Sequence, residues 1–450
     1  MRDFTKETGG RELFSFLMPI LMVKFFEILS GTLTPVIVNR FLSEEAITCI
    51  SACRVYPALQ GNLIGVTAAG FGVFVTRYVG KGLAEGQQRA VKTALTGAGV
   101  LALIGLGFME LPGFLLQAVC VPSGLSEMAG RYLFWLFAGS LPLVYQSLFL
   151  SIFYGLGESA FAGRVSMAGV VLQPVLTCLF ILFFGMGVEA VPIASFVNRL
   201  LMAMFLSGHL MRRYRYLFQK TGFSLENVRE LWNCGLSQGI MLTIIWIGTF
   251  LIQKEVNQMP QTHISAYMYA VVAEDFLLFP IYGCREAASA ILAQCAGAGD
   301  VFLVRKYFYR FNRICLAVCV LVAGIIWFFG SAYVGLLLGF SGEEVTRLTV
   351  RWLRICAFAF PALSLCELSR ALLQAVGAYG YMEFLGVLNG LLRAALGMTV
   401  IAGAGFDALI GSFFCIFLLT GAGGGIGCCF ALRRFEEERK NGEQVHINCG

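Results

Sequence analysis

The sequence predicts an all-α membrane protein of twelve transmembrane helices, built as two six-helix bundles related by an internal parallel repeat. Three observations carry this. Of the 450 residues 58% are hydrophobic and 13% charged, with mean hydropathy +0.77, whereas a soluble domain carries roughly 25% charged residues. Apolar runs of about 20 residues, the length that crosses a hydrocarbon layer, recur along nearly the whole chain and leave no room for a sizeable soluble domain. Finally, motifs return in order at an almost constant offset. "TRYVGKGLAEGQQRAVKTAL" (76–95) and "AQCAGAGDVFLVRKYFYRFNR" (293–313) both leave an apolar helix through a Gly-x-Gly turn into a basic loop, about 217 residues apart. "VNRFLSEEAITCISACRVYPAL" (38–59) parallels "VNQMPQTHISAYMYAVVAE" (256–274) at 218, and Pro142 with "GLGES" parallels Pro361 with "AVGAYG" at about 219 to 220.

In order, the helices are expected near 13–38, 48–77, 93–120, 130–155, 162–185, 188–212, 234–257, 264–294, 312–338, 350–376, 381–402 and 408–432. The first run is long and lacks a small-residue cleavage site, so it reads as a span and not as a signal peptide. The longest polar gap, "RRYRYLFQKTGFSLENVREL" (212–231), splits the chain near its middle and holds a helix start at Ser224, Glu226 and Asn227. The expected organisation is an amino-terminal bundle over 1–211, a linker over 212–233, a carboxy-terminal bundle over 234–432 and a tail over 433–450.

Net charge is +6, and its placement is more informative than its total. Cations cluster at Arg77, Lys81, Arg89 and Lys92, at Arg212, Arg213, Arg215, Lys220 and Arg229, at Arg305, Lys306, Arg310 and Arg313, and at Arg433, Arg434, Arg439 and Lys440. The positive-inside rule makes these loops cytoplasmic. An even helix number then places both termini in the cytoplasm. Arg347, Arg351 and Arg354 are the misfit, falling on the expected outer side beside Glu343 and Glu344. Six helices per repeat is even as well, so the halves share one orientation. Parallel repeats of this kind mark transporters whose substrate sites lie near mid-membrane.

Enzyme chemistry has no support in the sequence. His209, His263 and His446 are scattered, no Gly-rich phosphate loop follows a strand, and no paired-His metal motif occurs. The 15 cysteines lie mostly in apolar runs without metal-ligand spacing. No metal or cofactor is expected.

A charge at bilayer depth costs about 2.5 kcal/mol or more, so those inside the spans are the first functional candidates. In "PILMVKFFEILSGTLTPVIVNRFL" (19–42), Lys24 and Glu27 sit three residues apart, close enough to pair. Glu27 shares a helix face with Thr34, two turns on. Glu255 stands beside Lys254 near the end of helix seven. Helix eight carries Glu274, Asp275, Arg285 and Glu286, and helix ten Glu367 with Arg370 one turn on. Adjacent residues diverge by about 100°, so Glu274 and Asp275 do not share one small site. Tyr56, Tyr145, Trp246, Tyr267 and Phe276 offer ring faces to an organic cation.

"VIVNRFLS" closing helix one, "RYVGKGLAEGQQRAVKTA", "FFGMGVEAVPIASFVNRL" and "FPIYGCREAASAILAQCAGAGD" together resemble the multidrug and toxic compound extrusion (MATE) family of bacterial-type, cation-coupled antiporters. The resemblance spans about residues 10 to 435. It implies two six-helix bundles set as a V around a central cavity, acting as a monomer on small molecules. The departures are in the amino-terminal half. Where relatives usually have an Asp closing helix one, preceded by an Asn, this chain has Thr34 and Gly31; where helix five usually carries Asn and Asp, it has Gln173 and Thr177. A hydroxyl or amide neither titrates at working pH nor balances a buried cation, so the amino-terminal coupling acids are replaced.

The expected function is export of amphipathic, cationic solutes by antiport with Na+ or H+, at the plasma membrane and without nucleic acid. Cation-coupling candidates are Glu27, Glu255, Glu274, Asp275 and Glu367; substrate-cavity candidates are Lys24, Thr34, Tyr145, Gln173, Thr177 and Arg285. The alternative is a flippase-type transporter of a lipid-linked or anionic substrate, for which Lys24, Arg54, Arg285 and Arg370 would supply cations.

Overall fold

A computed structural model describes residues 4, 9–42, 45–46, 49–50, 53, 55–111, 113, 115–116, 123–219, 225–256, 259–338, 342–396 and 402–448. Within these, the side chains of 32–39, 55, 123, 225–226, 254, 337–338, 402–404 and 441–448 are not described. Thr34, Lys254 and Arg54 therefore lie outside the described side chains.

The described chain is helical throughout and divides into two compact units, 1–240 and 241–450. The first holds α1 (Gly10–Phe41), α2 (Val55–Leu59), α3 (Thr67–Lys81), α4 (Ala84–Gly107), α5 (Ser126–Ala138), α6 (Ser140–Gly155), α7 (Ser159–Leu182) and α8 (Ala190–Arg213). Then α9 (Leu225–Val256) crosses the boundary between the units, which falls between Ile240 and Met241. The second unit continues with α10 (Gln261–Ala298), α11 (Val301–Leu338), α12 (Glu343–Ala357), α13 (Phe360–Val376), α14 (Tyr379–Leu396) and α15 (Ala402–Asn448). Among the described residues, ten helices are long and apolar enough to cross a membrane, counting the pair α5–α6 as one, and α12–α13, bent by 61°, makes an eleventh. The 18-residue α14 holds the place of the twelfth.

Several helices outrun their apolar cores. The third span starts at Ala84, not 93, because "AEGQQRAVK" is rich in strong helix formers that continue the helix beyond the lipid layer. It ends at Gly107, where a single 3₁₀ turn, Phe108–Glu110, precedes Pro112, not near 120. The seventh span likewise begins at Leu225 and the last continues past Arg433. The tenth breaks before Pro361, which stands in the first turn of α13 where a missing N–H costs least. The three misfit arginines lie on the amphipathic α12. Arg351 pairs with Asp407 at 3.1 Å, and Arg354 lies 5.3 Å from the Trp327 ring centre and donates to the Trp327 carbonyl at 3.3 Å.

The repeat leaves a backbone signature. Gly82 (φ 75°) and Gly299 (φ 80°) close α3 and α10 as left-handed caps, a conformation in which a Cβ is strained. Gly157 corresponds to Gly377 and Gly185 to Gly405, so the six positive-φ glycines among the described residues form three pairs near the repeat offset.

In the first unit α7 packs on α1 and α8, and α3 on α4 and α6. The first turns of α9 also pack here: a Cβ on Gly235 or Gly239 would strike Phe71 and Thr67 of α3, and one on Gly97 would strike Leu231. Arg77 pairs with Glu230 at 2.5 Å, and the Tyr78 hydroxyl donates to Asn227 at 3.0 Å. At the start of α7, Glu158 accepts from Arg213 at 2.9 Å and from the Tyr214 hydroxyl at 2.6 Å. Burial, aided by that carboxylate, raises the Tyr214 phenol above its ordinary range. In the second unit α13 lies between α10 and α15, with α11 and α12 against α10.

Candidate functional site

The second unit places a carboxylate in an aromatic setting. Glu274, on α10, is 8% exposed, and its Oε1 accepts from the indole Nε1 of Trp352 at 2.8 Å. Trp352 is fully buried on α12 and is itself walled by Tyr267, Phe406 and Phe413, with ring centres 5.5, 5.9 and 5.1 Å away. The bend after α12 lets this tryptophan and the more distant Glu367 of α13 both approach α10. Among the described residues no cation is ion-paired to Glu274. Arg393 of α14 acts on it electrostatically from beyond ion-pair distance. The guanidinium is held by Asn389 Oδ1 at 2.8 Å, Thr249 Oγ1 at 3.1 Å and the Phe413 ring at 5.2 Å. Buried charges without direct neutralisation are costly and concentrate at functional positions.

The other carboxy-terminal candidates fall into different settings. Asp275 is exposed where its neighbour Glu274 is buried, as the 100° step between adjacent helical residues requires. Glu367 is held by two arginines, Arg285 at 3.4 Å and Arg370 in closer contact, while Arg285 also meets Glu286 at 3.5 Å. Two carboxylates and two guanidiniums thus form a neutral quartet across α10 and α13. Glu255 lies at the last turn of α9, half-buried.

The first unit holds amides and hydroxyls where the resemblance would place acids. Gln173 of α7 donates through Nε2 to Ser195 Oγ at 2.8 Å and accepts from Asn198 Nδ2 at 3.2 Å. Thr177 returns its hydroxyl to the Gln173 carbonyl at 2.9 Å. Gln146 donates to Met202 Sδ at 3.3 Å, and its Oε1 and the Oδ1 of Asn198 are buried with no hydrogen-bond donor among the described residues. Tyr145 stacks on Phe149 at 6.0 Å. On α1, Lys24 Nζ meets Glu27 Oε2 at 2.7 Å, with 20% and 45% of the two side chains exposed. The pair is therefore formed, and Glu27 has its counter-charge one helical turn away.

Three residues that sequence reasoning passed over join these sites: Arg199 on α8, Arg393 on α14 and Trp352 on α12. The two arginines were visible as cations inside apolar runs, in "SFVNRL" and "LLRAAL". Nothing local to Trp352 shows that its N–H points at a carboxylate 78 residues earlier.

Residues 239–399 match the MatE family model. The probable multidrug resistance protein YpnP of Bacillus subtilis is 22% identical over 388 residues, covering 84% of both chains. Crystal structures of MATE proteins share the fold. One in complex with MaD3S superposes with a TM-score of 0.86 at 15% identity, over 97% of this chain and 98% of that one. A mutant of the Vibrio cholerae MATE transporter VcmN gives 0.84 at 16% identity, over 94% and 97%. The second half of the chain thus carries a stretch that matches the MatE model, and the chain as a whole shares the multi-pass helical fold of MATE transporters.

Proposed function

We propose that the protein exports amphipathic, cationic solutes from the cell by antiport with protons, and that Glu274 is the coupling acid. The observation that carries this is a membrane-embedded carboxylate held by one indole hydrogen bond, among rings and with no ion pair in the described residues. Such a group exchanges a proton for an organic cation at moderate cost, because either partner removes an uncompensated buried charge. The rings of Tyr267, Trp352 and Phe413 add faces suited to a cationic amphiphile. Sodium, a hard cation, asks for a shell of oxygen ligands, and the aromatic surroundings of Glu274 favour the proton instead. Glu367 is held by arginines, and Glu27 by Lys24, so both are assigned to fixing helix packing.

The test is transport by purified protein in sealed vesicles loaded with a fluorescent organic cation. Efflux is expected to follow an imposed pH gradient and not a sodium gradient, and to fall to the level of protein-free vesicles in Glu274→Gln while Glu27→Gln retains coupling. Efflux driven by sodium alone would reject the proton. Full coupling in Glu274→Gln at normal expression would reject the site.

A further inference from the structure

Arg199 stands near the middle of α8, about 14 Å along the helix from Ala190. Its guanidinium stays protonated at any physiological pH. Holding it at bilayer depth is costly unless a counter-charge is at hand. Yet no carboxylate is ion-paired to it among the described residues, in contrast to Arg77 and Arg213 of the same unit. What faces it is neutral: Gln60 Oε1 accepts from Arg199 Nη1 at 3.4 Å, a long contact, and the phenol of Tyr132 lies within electrostatic reach.

Backbone irregularities in two neighbouring spans bring these groups together. Gln60 opens the π-helical stretch Gln60–Val66 between α2 and α3, and π insertions gather at functional positions. The span formed by α5 and α6 is interrupted at Gly139, where a Cβ would stand 3.9 Å from Arg199 Nη1. Gln60 is fixed by its own amide, which donates to the Leu136 carbonyl at 2.5 Å and to Ser140 Oγ at 3.0 Å. The carboxamide is therefore held by groups other than Arg199. Arg199 is half-buried as a residue, and beyond the contact with Gln60 its guanidinium carries further N–H groups suited to a planar acceptor.

We propose that Arg199, oriented by Gln60 and opposite the break at Gly139, binds an oxyanion: the carboxylate or phosphate group of a transported solute. This goes beyond the cation-driven export proposed above and does not depend on Glu274. It widens the substrates to amphiphiles that carry an anionic group, zwitterions included. The competing reading uses the same contacts differently. A cation beside the carboxyl end of α5 is stabilised by the helix dipole, and Arg199 would then serve folding alone.

The two readings separate in a binding experiment on the full-length protein in phosphatidylcholine nanodiscs. Melting temperature is followed during titration with benzoate and phenyl phosphate, with benzyl alcohol as the uncharged control. The site predicts a saturable upward shift with both anions and none with the alcohol, since a ligand that binds only the folded state raises its stability. Arg199→Lys keeps a charge but loses the two-pronged donor and is expected to weaken binding about tenfold. Arg199→Gln should abolish the shift. Gln60→Glu decides the matter even if Arg199→Gln does not fold, because it places a carboxylate beside the guanidinium. The ligand-free protein should then melt higher and ignore benzoate. A repeat in discs containing phosphatidylglycerol identifies the source of the oxyanion. A lipid-dependent shift lost in Gln60→Glu, without any benzoate response, supports the site with a headgroup as its ligand. Folded wild-type protein that responds to neither the anions nor phosphatidylglycerol overturns the proposal. So does a benzoate response undiminished in Gln60→Glu, or one matched by benzyl alcohol.

Discussion

Charged side chains in the spans of this protein differ in how they are compensated, and those differences set their expected roles. Lys24 and Glu27 sit one turn apart on one helix, with the acid nearly half exposed. A pair of that kind contributes about 0.2–1 kcal/mol when measured by a double-mutant cycle. Melting of Lys24→Glu, Glu27→Lys and the exchanged double variant should show each single change destabilising and the exchange recovering most of the loss. Glu274 differs in having an indole in place of a cation. The sequence made the acids legible, since a carboxylate inside an apolar run is conspicuous wherever it occurs. It could not rank them: Arg370 stands one turn from Glu367 on the same helix, but the second partner of Glu367, Arg285, comes from another helix, and the setting of Glu274 depends on Trp352. Both are long-range contacts with no local trace.

At the scale of the element, the bundles depend on small residues where helices cross. A Cβ on Gly421 of α15 would strike the backbone of Ala362 on α13, which has no side-chain freedom with which to yield. Gly411 of the same helix is exposed and has nothing within 4 Å of that position. Gly421→Ala is therefore expected to cost about 1–3 kcal/mol through overpacking. Gly411→Ala should be neutral or gain up to about 1 kcal/mol from helix propensity. Denaturation of the two variants in detergent checks the contrast. Apolar runs located the spans well, because the hydrocarbon layer imposes their length. Helix ends such as Ala84 and Leu225 were less legible, since polar residues with good helix propensity carry the helix on past the lipid. The bend before α13 had a visible marker in Pro361, but its 61° is set by packing.

For the whole molecule, basic loops recur on one expected side, and both termini follow from them under the positive-inside rule. Fusions at the carboxyl terminus should accordingly give fluorescence with green fluorescent protein and no activity with alkaline phosphatase; the reverse pattern would invert the topology. The repeat was readable from three motif pairs, and the structure adds three glycine pairs at the same spacing. Where the chain divides physically was not readable, because the polar linker at 212–231 draws the eye. The first 16 residues of α9 belong with the amino-terminal unit, and the boundary falls after Ile240. The seam left by gene duplication and the seam between compact bodies thus lie at different places in the chain. Two fragments produced by cutting at the linker would assign Leu225–Ile240 to the wrong partner, stripping the first fragment of the segment that covers Phe71 and Thr67. For reconstitution from separately expressed pieces, the amino-terminal piece has to carry the opening turns of its neighbour's helix.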